Sequence, residues 1–444
     1  MNYLSAVWKI PDLRKKIFYT LMILLVFCFG SALFVPYLDN DTMSELVKNS
    51  ALLDFMNNIT GGALGNGTLF AMSITPYINA SIIMQLLCVA LPPLERLQKE
   101  GETGQKVINR ITKFLALGIG LFQASAFYLG LRSQGCLKFN DFRNLNGELP
   151  ATLLTMFTII ITFTAGASLI IWLGDQISDK GIGNGVSIIL FAGIVSRLPV
   201  TAYDLVKSVS VDKSKLYLIP LVFVLYLTML TLTVLMTNAE RRIPIQYAKR
   251  MVGRKMYGGQ SSHIPIKVAM AGVMPIIFAM SIMTLPQTIC YWFGITETSA
   301  KTGSWWTDFW IWFLAHFNQS TIWYGIIYFF LIIGFNYFYI SMQYNPTEIA
   351  NNLKKNNGAI PGYRPGKPTA DFIQNALGKI TLIGAIFLGF VALVPIIFTI
   401  TTRVSGSAMA LGGTSLLIVV GVVQETGKSI QSQMMMRKHR GFLE

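Results

Sequence analysis

Ten apolar stretches constrain this chain more than any other feature. They run at about 17–38, 73–91, 114–131, 152–174, 182–200, 216–236, 268–290, 322–342, 376–399 and 408–424. Their interiors are free of charge, with Arg197 and Lys379 lying at segment ends. The hydrocarbon core of a bilayer takes roughly 20 apolar residues per helical span. Without water, every backbone N–H and C=O must be satisfied inside the segment, which only a helix does at this length. The chain is therefore expected to be an all-α polytopic membrane protein with ten transmembrane helices.

Charge supports this and sets an orientation. Only 13% of the 444 residues are charged, against about 25% in soluble proteins. The net charge of +15 suits either a nucleic-acid binder or a membrane protein with basic cytosolic loops. With the N-terminus in the cytosol, 26 Lys and Arg fall on the cytosolic side and 10 on the outer side. That bias predicts both termini in the cytosol. It disfavours the nucleic-acid reading as a whole, although a basic loop touching ribosomal RNA stays open.

Two long loops on the cytosolic side, Ala239–Lys267 and Tyr344–Asp371, are polar and rich in Gly, Asn and basic residues. They read either as solvated connectors or as a docking surface for a large acidic or RNA-bearing partner.

Several function classes find no support. There is no HExxH zinc motif and no GxxxxGK[ST] phosphate loop. Cys28, Cys88, Cys136 and Cys290 form no CxxC pair, so neither a disulfide framework nor a zinc site is expected. The first apolar stretch is too long for the core of a cleaved signal peptide. Spans without charge argue against an ion-coupled transporter of small solutes. No cofactor, metal or catalytic residue is expected. An uncharged interior rich in Ile, Met, Gly and Ser would bind nothing tightly, and apolar constrictions gate by excluding water. Ordinary helix packing accounts for the same composition.

An internal repeat is legible. Pro76-Tyr77-Ile78-Asn79-Ala80-Ser81-Ile82-Ile83-Met84 in the second stretch matches Pro275-Ile276-Ile277-Phe278-Ala279-Met280-Ser281-Ile282-Met283 in the seventh at Pro, Ile, Ala, Ile and Met. Gly185-Val186-Ser187-Ile188 in the fifth faces Gly413-Thr414-Ser415-Leu416 in the tenth. Five spans per repeat would make the halves, 1–200 and 201–444, inverted in the membrane.

Six motifs, in order over nearly the whole chain, resemble the SecY family of protein-translocation channels. They are Gly61-Gly62-Ala63-Leu64 leading to Ile74–Leu87, Gly181–Ile188, Glu240-Arg241-Arg242-Ile243-Pro244 with Tyr247–Arg250, Asn345–Lys355, Pro361–Gly366, and Gly412–Val420. The resemblance implies two five-helix halves around an hourglass pore. It implies an apolar ring at the waist, here Ile74, Ile78, Ile188, Ile277 and Ile418. The repeat alone pairs Ile188 with Leu416 instead. A plug before the second span would be about 57–69, including Gly61, Gly62, Ala63 and Leu64. The second and seventh spans, with the third and eighth, resemble a lateral gate for signal sequences and membrane segments. Gln85 and Ala269 stand at its polar positions. Family members often carry Asn where this chain has Ala269, and alanine forms no side-chain hydrogen bond. The basic loop with Lys249, Arg250, Arg254 and Lys255, and the turn with Arg364, would engage the ribosome or the SecA motor ATPase. Small SecE- and SecG-like subunits, unfolded preproteins and lipids are the other partners implied, in the cytoplasmic membrane.

Overall fold

A computed structural model describes residues 10–49, 53, 57, 60–137, 149–211, 217–247, 250–252, 255–257, 261–292, 305–317, 321–402 and 413–440. The helices are α1 (Pro11–Gly30), α2 (Asn40–Asn49), α3 (Thr75–Ala90), α4 (Pro92–Lys99), α5 (Glu102–Ser133), α6 (Leu149–Lys180), α7 (Gly185–Val211) and α8 (Leu218–Asn238). After strands β1 (Glu240–Tyr247), β2 (Arg250–Val252), β3 (Lys255–Tyr257) and β4 (Ser261–Lys267) come α9 (Met274–Trp292), α10 (Trp305–His316), α11 (Ile322–Gln343) and α12 (Pro346–Lys355). The chain ends with β5 (Gly358–Ala359), α13 (Lys367–Thr402) and α14 (Gly413–Arg440). Each of the ten apolar stretches carries a helix. Among the described residues, six helices are long and apolar enough to cross a membrane, and α3 with α4, bent by 100° at their break, makes a seventh if the pair is one span.

The outward surface is apolar. Phe18, Leu25, Phe29, Phe114, Phe122, Phe157, Phe223 and Phe330 are all exposed. A soluble monomer rarely shows so much contiguous apolar surface, whereas lipid accepts it. Helix packing runs α1 on α6, α3 on α5, α5 on α6, and α6 on α7 in one group. A second group packs α9 on α11, α11 on α13, and α8 and α13 on α14. The groups meet where α7 touches α14 and α8, and where α5 touches α9.

The repeated segments share local geometry. Each helix starts one residue before its proline, at Thr75 and Met274, where a missing N–H costs nothing. Three residues before each proline the backbone turns left-handed, at Ser73 (φ 48°) and Gly272 (φ 60°). Ala80 and Ala279 are fully buried, and Met84 and Met283 are buried as well.

Two expectations need correction. The first apolar stretch does not remain helical to residue 38, because α1 stops at Gly30. A Cβ at Gly30 would run into the Phe70 ring. The chain beyond opens out and pairs with the Gly-rich segment: Val35 N–H donates to Gly67 O (2.9 Å) and Leu69 N–H to Leu33 O (2.8 Å). The all-α expectation fails at the Ala239–Lys267 loop, which forms a β-hairpin. β1 pairs antiparallel with β4, Ile243 opposite Ile264. β5, from the other long polar loop, adds to the far edge of β1. The two loops are thus one folded unit over a core of Ile243, Ile245, Ile266, Leu353, Ile360, Ile373 and Leu377.

Candidate functional site

A single apolar cluster lies where the two helix groups meet. Ile74 at the start of α3, Ile188 on α7, Ile277 on α9 and Ile418 on α14 are buried in it, and Ile78 packs against it. All five residues singled out for a ring therefore meet. Three of the supplying segments begin helices: Ile74 is the N-cap of α3, Ile188 is the fourth residue of α7, and Ile277 the fourth of α9. Their side chains thus sit where a helix end reaches the cluster from a turn. Leu416 lies elsewhere, with Met229, Ile276 and Tyr328. The register of α14 therefore puts Ile418, not Leu416, with Ile188.

The Gly-rich segment joins the same cluster from the adjoining turns. Ala63 is buried with the isoleucines, together with Phe70, whose ring stacks on Phe27 at 5.6 Å. Leu64 points into a neighbouring cluster with Val35, Leu38, Tyr128 and Phe163. Among its described residues the segment is a run of turns over 60–74. Gly61 (φ 70°) and Gly62 (φ 90°) use backbone conformations that favour glycine. Gly61 lies against Gly193 and Ser196 of α7, and Gly62 against the Arg197 guanidinium.

Sequence reading missed what holds this segment. Buried Asn57 accepts from Gly65 N–H through its side-chain oxygen (2.7 Å), and its carbonyl accepts from Gly62 N–H (2.8 Å). Leu69 presses its carbonyl onto Gly166 of α6. The only signal for these contacts was composition, since Asn and Gly recur in many loops.

The remaining candidates are placed apart from the cluster. Gln85 on α3 donates to Ser81 Oγ one turn back (3.4 Å), and its Oε1 is buried without a hydrogen-bond partner. Ala269, half-buried, accepts through its carbonyl from Gly272 N–H (3.2 Å) in the turn that starts α9. Lys249 and Arg254 lie outside the described residues. Arg250 and Lys255 belong to the β2–β3 pair at the hairpin tip. Arg364 is exposed on a turn held at both sides: Thr369 Oγ1 donates to its carbonyl (2.8 Å), and Tyr363 packs on Phe372 at 4.3 Å. Gly362 (φ 86°) and Gly366 (φ 110°) shape that turn. Among the described residues no cluster of His, Cys, Asp and Glu could hold a metal ion.

Such an assembly suits a multi-pass helical membrane protein. Apolar side chains from the two helix groups meet there with a compact turn segment, which the Arg197 guanidinium borders at Gly62. The SecY family model matches residues 68–427. The translocase subunit SecY of Streptomyces scabiei is 38% identical over 99% of both chains. That of Mycobacterium bovis is 39% identical over 98% of this chain and 97% of its own. The chain belongs to the SecY family. Solved structures of similar fold include a protein-conducting channel (TM-score 0.61, 18% identity, 94% of this chain and 92% of the other). Another is a SecY whose plug domain stabilises the closed channel and maintains a membrane seal (0.63, 19%, 94% and 92%). A third is Sec61 in a canine ribosome–channel complex (0.58, 17%, 94% and 92%).

Proposed function

We propose that this chain is a protein-conducting channel in the cytoplasmic membrane. Unfolded preproteins pass through it, and transmembrane segments leave sideways into lipid. It has ten spans in two inverted halves of five, 1–200 and 201–444, with both termini in the cytosol. The observation that carries the reading is the meeting of Ile74, Ile78, Ile188, Ile277 and Ile418 with Ala63 in one apolar cluster between helix groups.

Burying an Ile side chain rather than leaving it in water is worth about 1.5–3 kcal/mol. A handful of them around a waist therefore favours a dry, closed state. A dry apolar waist is also a steep barrier to ions without any fixed charge. An unfolded chain passing through can replace these contacts with its own side chains, which needs no specific recognition. The segment 57–69 acts as the plug, in keeping with the role named for the related plug domain. Its turns carry little intrinsic order, and its place comes from contacts with α6, α7 and its own Asn57.

The lateral gate lies between α3 and α9, with α5 and α11 beside them. Gln85 offers one polar group there, and Ala269 offers none from its side chain. The folded unit of the hairpin and the Arg364 turn docks the SecA motor or a ribosome, including its RNA. Arg suits such partners because its planar fork matches phosphate and carboxylate. The chain is not an enzyme and needs no cofactor, since the partner supplies directional energy. SecE- and SecG-like subunits complete the assembly.

The test is conductance of the purified protein in planar bilayers without substrate. Ile78→Ser and Ile277→Ser should each raise resting ion conductance and should add in combination. Variants as tight as the parent would remove these residues from the seal. Saturable uptake of a small solute by the parent protein would instead favour a transporter.

A further inference from the structure

Helix α10, Trp305–His316, has no counterpart among the ten apolar stretches. Its twelve residues span about 18 Å at 1.5 Å each, too short to cross a bilayer. One face is aromatic. Trp305 is 80% exposed, Phe309 42% and Trp312 53%, and His316 follows on the same stripe. The rings form a continuous row, with centroid separations of 6.3 Å (Trp305–Phe309), 6.4 Å (Phe309–Trp312) and 4.6 Å (Trp312–His316). Leu314, on the opposite side, is buried. The helix contains no Lys or Arg.

Three observations point to lipid as what covers this face. Gln287 of α9 donates to the Phe317 carbonyl at 2.7 Å, which ties the end of α10 to the apolar helix of the seventh stretch. Five residues after Phe317, α11 begins with Ile322 and Trp323, both about as outward-facing as the Trp312 ring, at 63% and 60% exposed. The chain therefore passes from the aromatic helix into one whose first residues are also large, apolar and exposed. Trp, an apolar body with one polar N–H, is the residue type enriched where membrane meets water.

We propose that α10 is an interfacial helix, lying along the membrane surface with Trp305, Phe309 and Trp312 seated at the boundary between lipid headgroups and acyl chains. Helices of this kind bury their apolar face about 5–10 Å into that boundary. Through Gln287 and Phe317 the helix anchors the end of α9 at a defined depth. The leaflet, the outer one, rests on the proposed topology, whereas the interfacial seating does not.

The test uses the full chain in phosphatidylcholine–phosphatidylglycerol vesicles, with the four native cysteines replaced. Nitroxide labels are placed singly at Phe309→Cys and Trp312→Cys. Ile326→Cys serves as the hydrocarbon reference and Tyr363→Cys as the aqueous one. Relaxation by oxygen should exceed that by a water-soluble nickel chelate at 309 and 312, at a depth shallower than 326. Nickel access equal to that at 363, or immobile labels reached by neither agent, would overturn the proposal. A second measurement needs no cysteine replacement. Lipids brominated near the headgroup should quench tryptophan fluorescence less in the double variant Trp305→Phe, Trp312→Phe than in the parent. Equal quenching in both would also overturn the proposal. Neither readout depends on channel activity, so failure here is distinguishable from failure of the channel reading.

Discussion

The Asn57 side-chain oxygen takes a hydrogen bond from Gly65 N–H at 2.7 Å, so the Gly-rich segment is closed on itself before it meets the spans. Both residues are enclosed by the fold, and the Asn57 carbonyl holds Gly62 as well. Asn57→Ala leaves a buried donor without a partner, which costs about 1–3 kcal/mol. Every 1.4 kcal/mol is about a tenfold change in population, so the segment should leave its place several-fold to about a hundredfold more often. Resting conductance in planar bilayers should rise, with protein level unchanged. A silent trace would show that this closure is not what keeps the segment seated.

Gly166 of α6 touches the Leu69 carbonyl with no space for a Cβ. Gly166→Ala should therefore displace the 67–70 backbone and raise resting conductance. Gly118 of α5 has nothing near its missing Cβ. Gly118→Ala should leave conductance alone and add up to about 1 kcal/mol of helix stability. Thermal unfolding in detergent, run beside the conductance assay, checks both. Equal effects at the two positions would contradict the packing described.

Arg364→Glu should block motor-driven export while leaving the fold intact. The side chain is exposed, and the turn is held by Thr369 and Tyr363 rather than by the guanidinium. Exposed substitutions usually shift stability by under about 0.5 kcal/mol. The measurement is export of a secreted protein in cells carrying the variant. Normal export at a normal level of the variant removes Arg364 from the docking site.

The Cys136 thiol, fully buried after α5, is pushed up to about 11, chiefly by burial and also by the Asp39 carboxylate. At pH 8 roughly one thiol in a thousand is then thiolate, far less than for a free cysteine. Iodoacetamide should label Cys136 slowly in the folded protein and quickly once it is unfolded, as read by mass spectrometry. The folded state disfavours the thiolate. Its stability relative to Cys136→Ala is thus fully present below the ordinary thiol value and falls as pH climbs toward 11. Fast labelling of the folded protein at pH 8 would contradict the burial.

Much of the site was legible because its signals are local. Ile78 and Ile277 announce themselves by equal places in two matching segments, and both helices do start one residue before the shared proline. The hairpin unit was half legible. Ile243-Pro244-Ile245 and Ile264-Pro265-Ile266 alternate as strands do, yet among Gly and basic residues they pass for a loop. Nothing local indicates that β5, more than 90 residues further on, joins the same sheet.

The sequence by itself determined the class of protein, the helical segments and the orientation bias. Apolar length, proline position and charge distribution act residue by residue and require no knowledge of neighbours. Tertiary structure alone decided where α1 ends, which of Leu416 and Ile418 meets Ile188, and what holds the Gly-rich segment. Each of those depends on a contact between distant parts of the chain. Gly30 meets Phe70, the register of α14 turns Ile418 toward α7, and Asn57 reaches Gly65. An apolar residue reads the same in sequence whether it faces lipid, a neighbouring helix or a closed pore, and only packing separates the three.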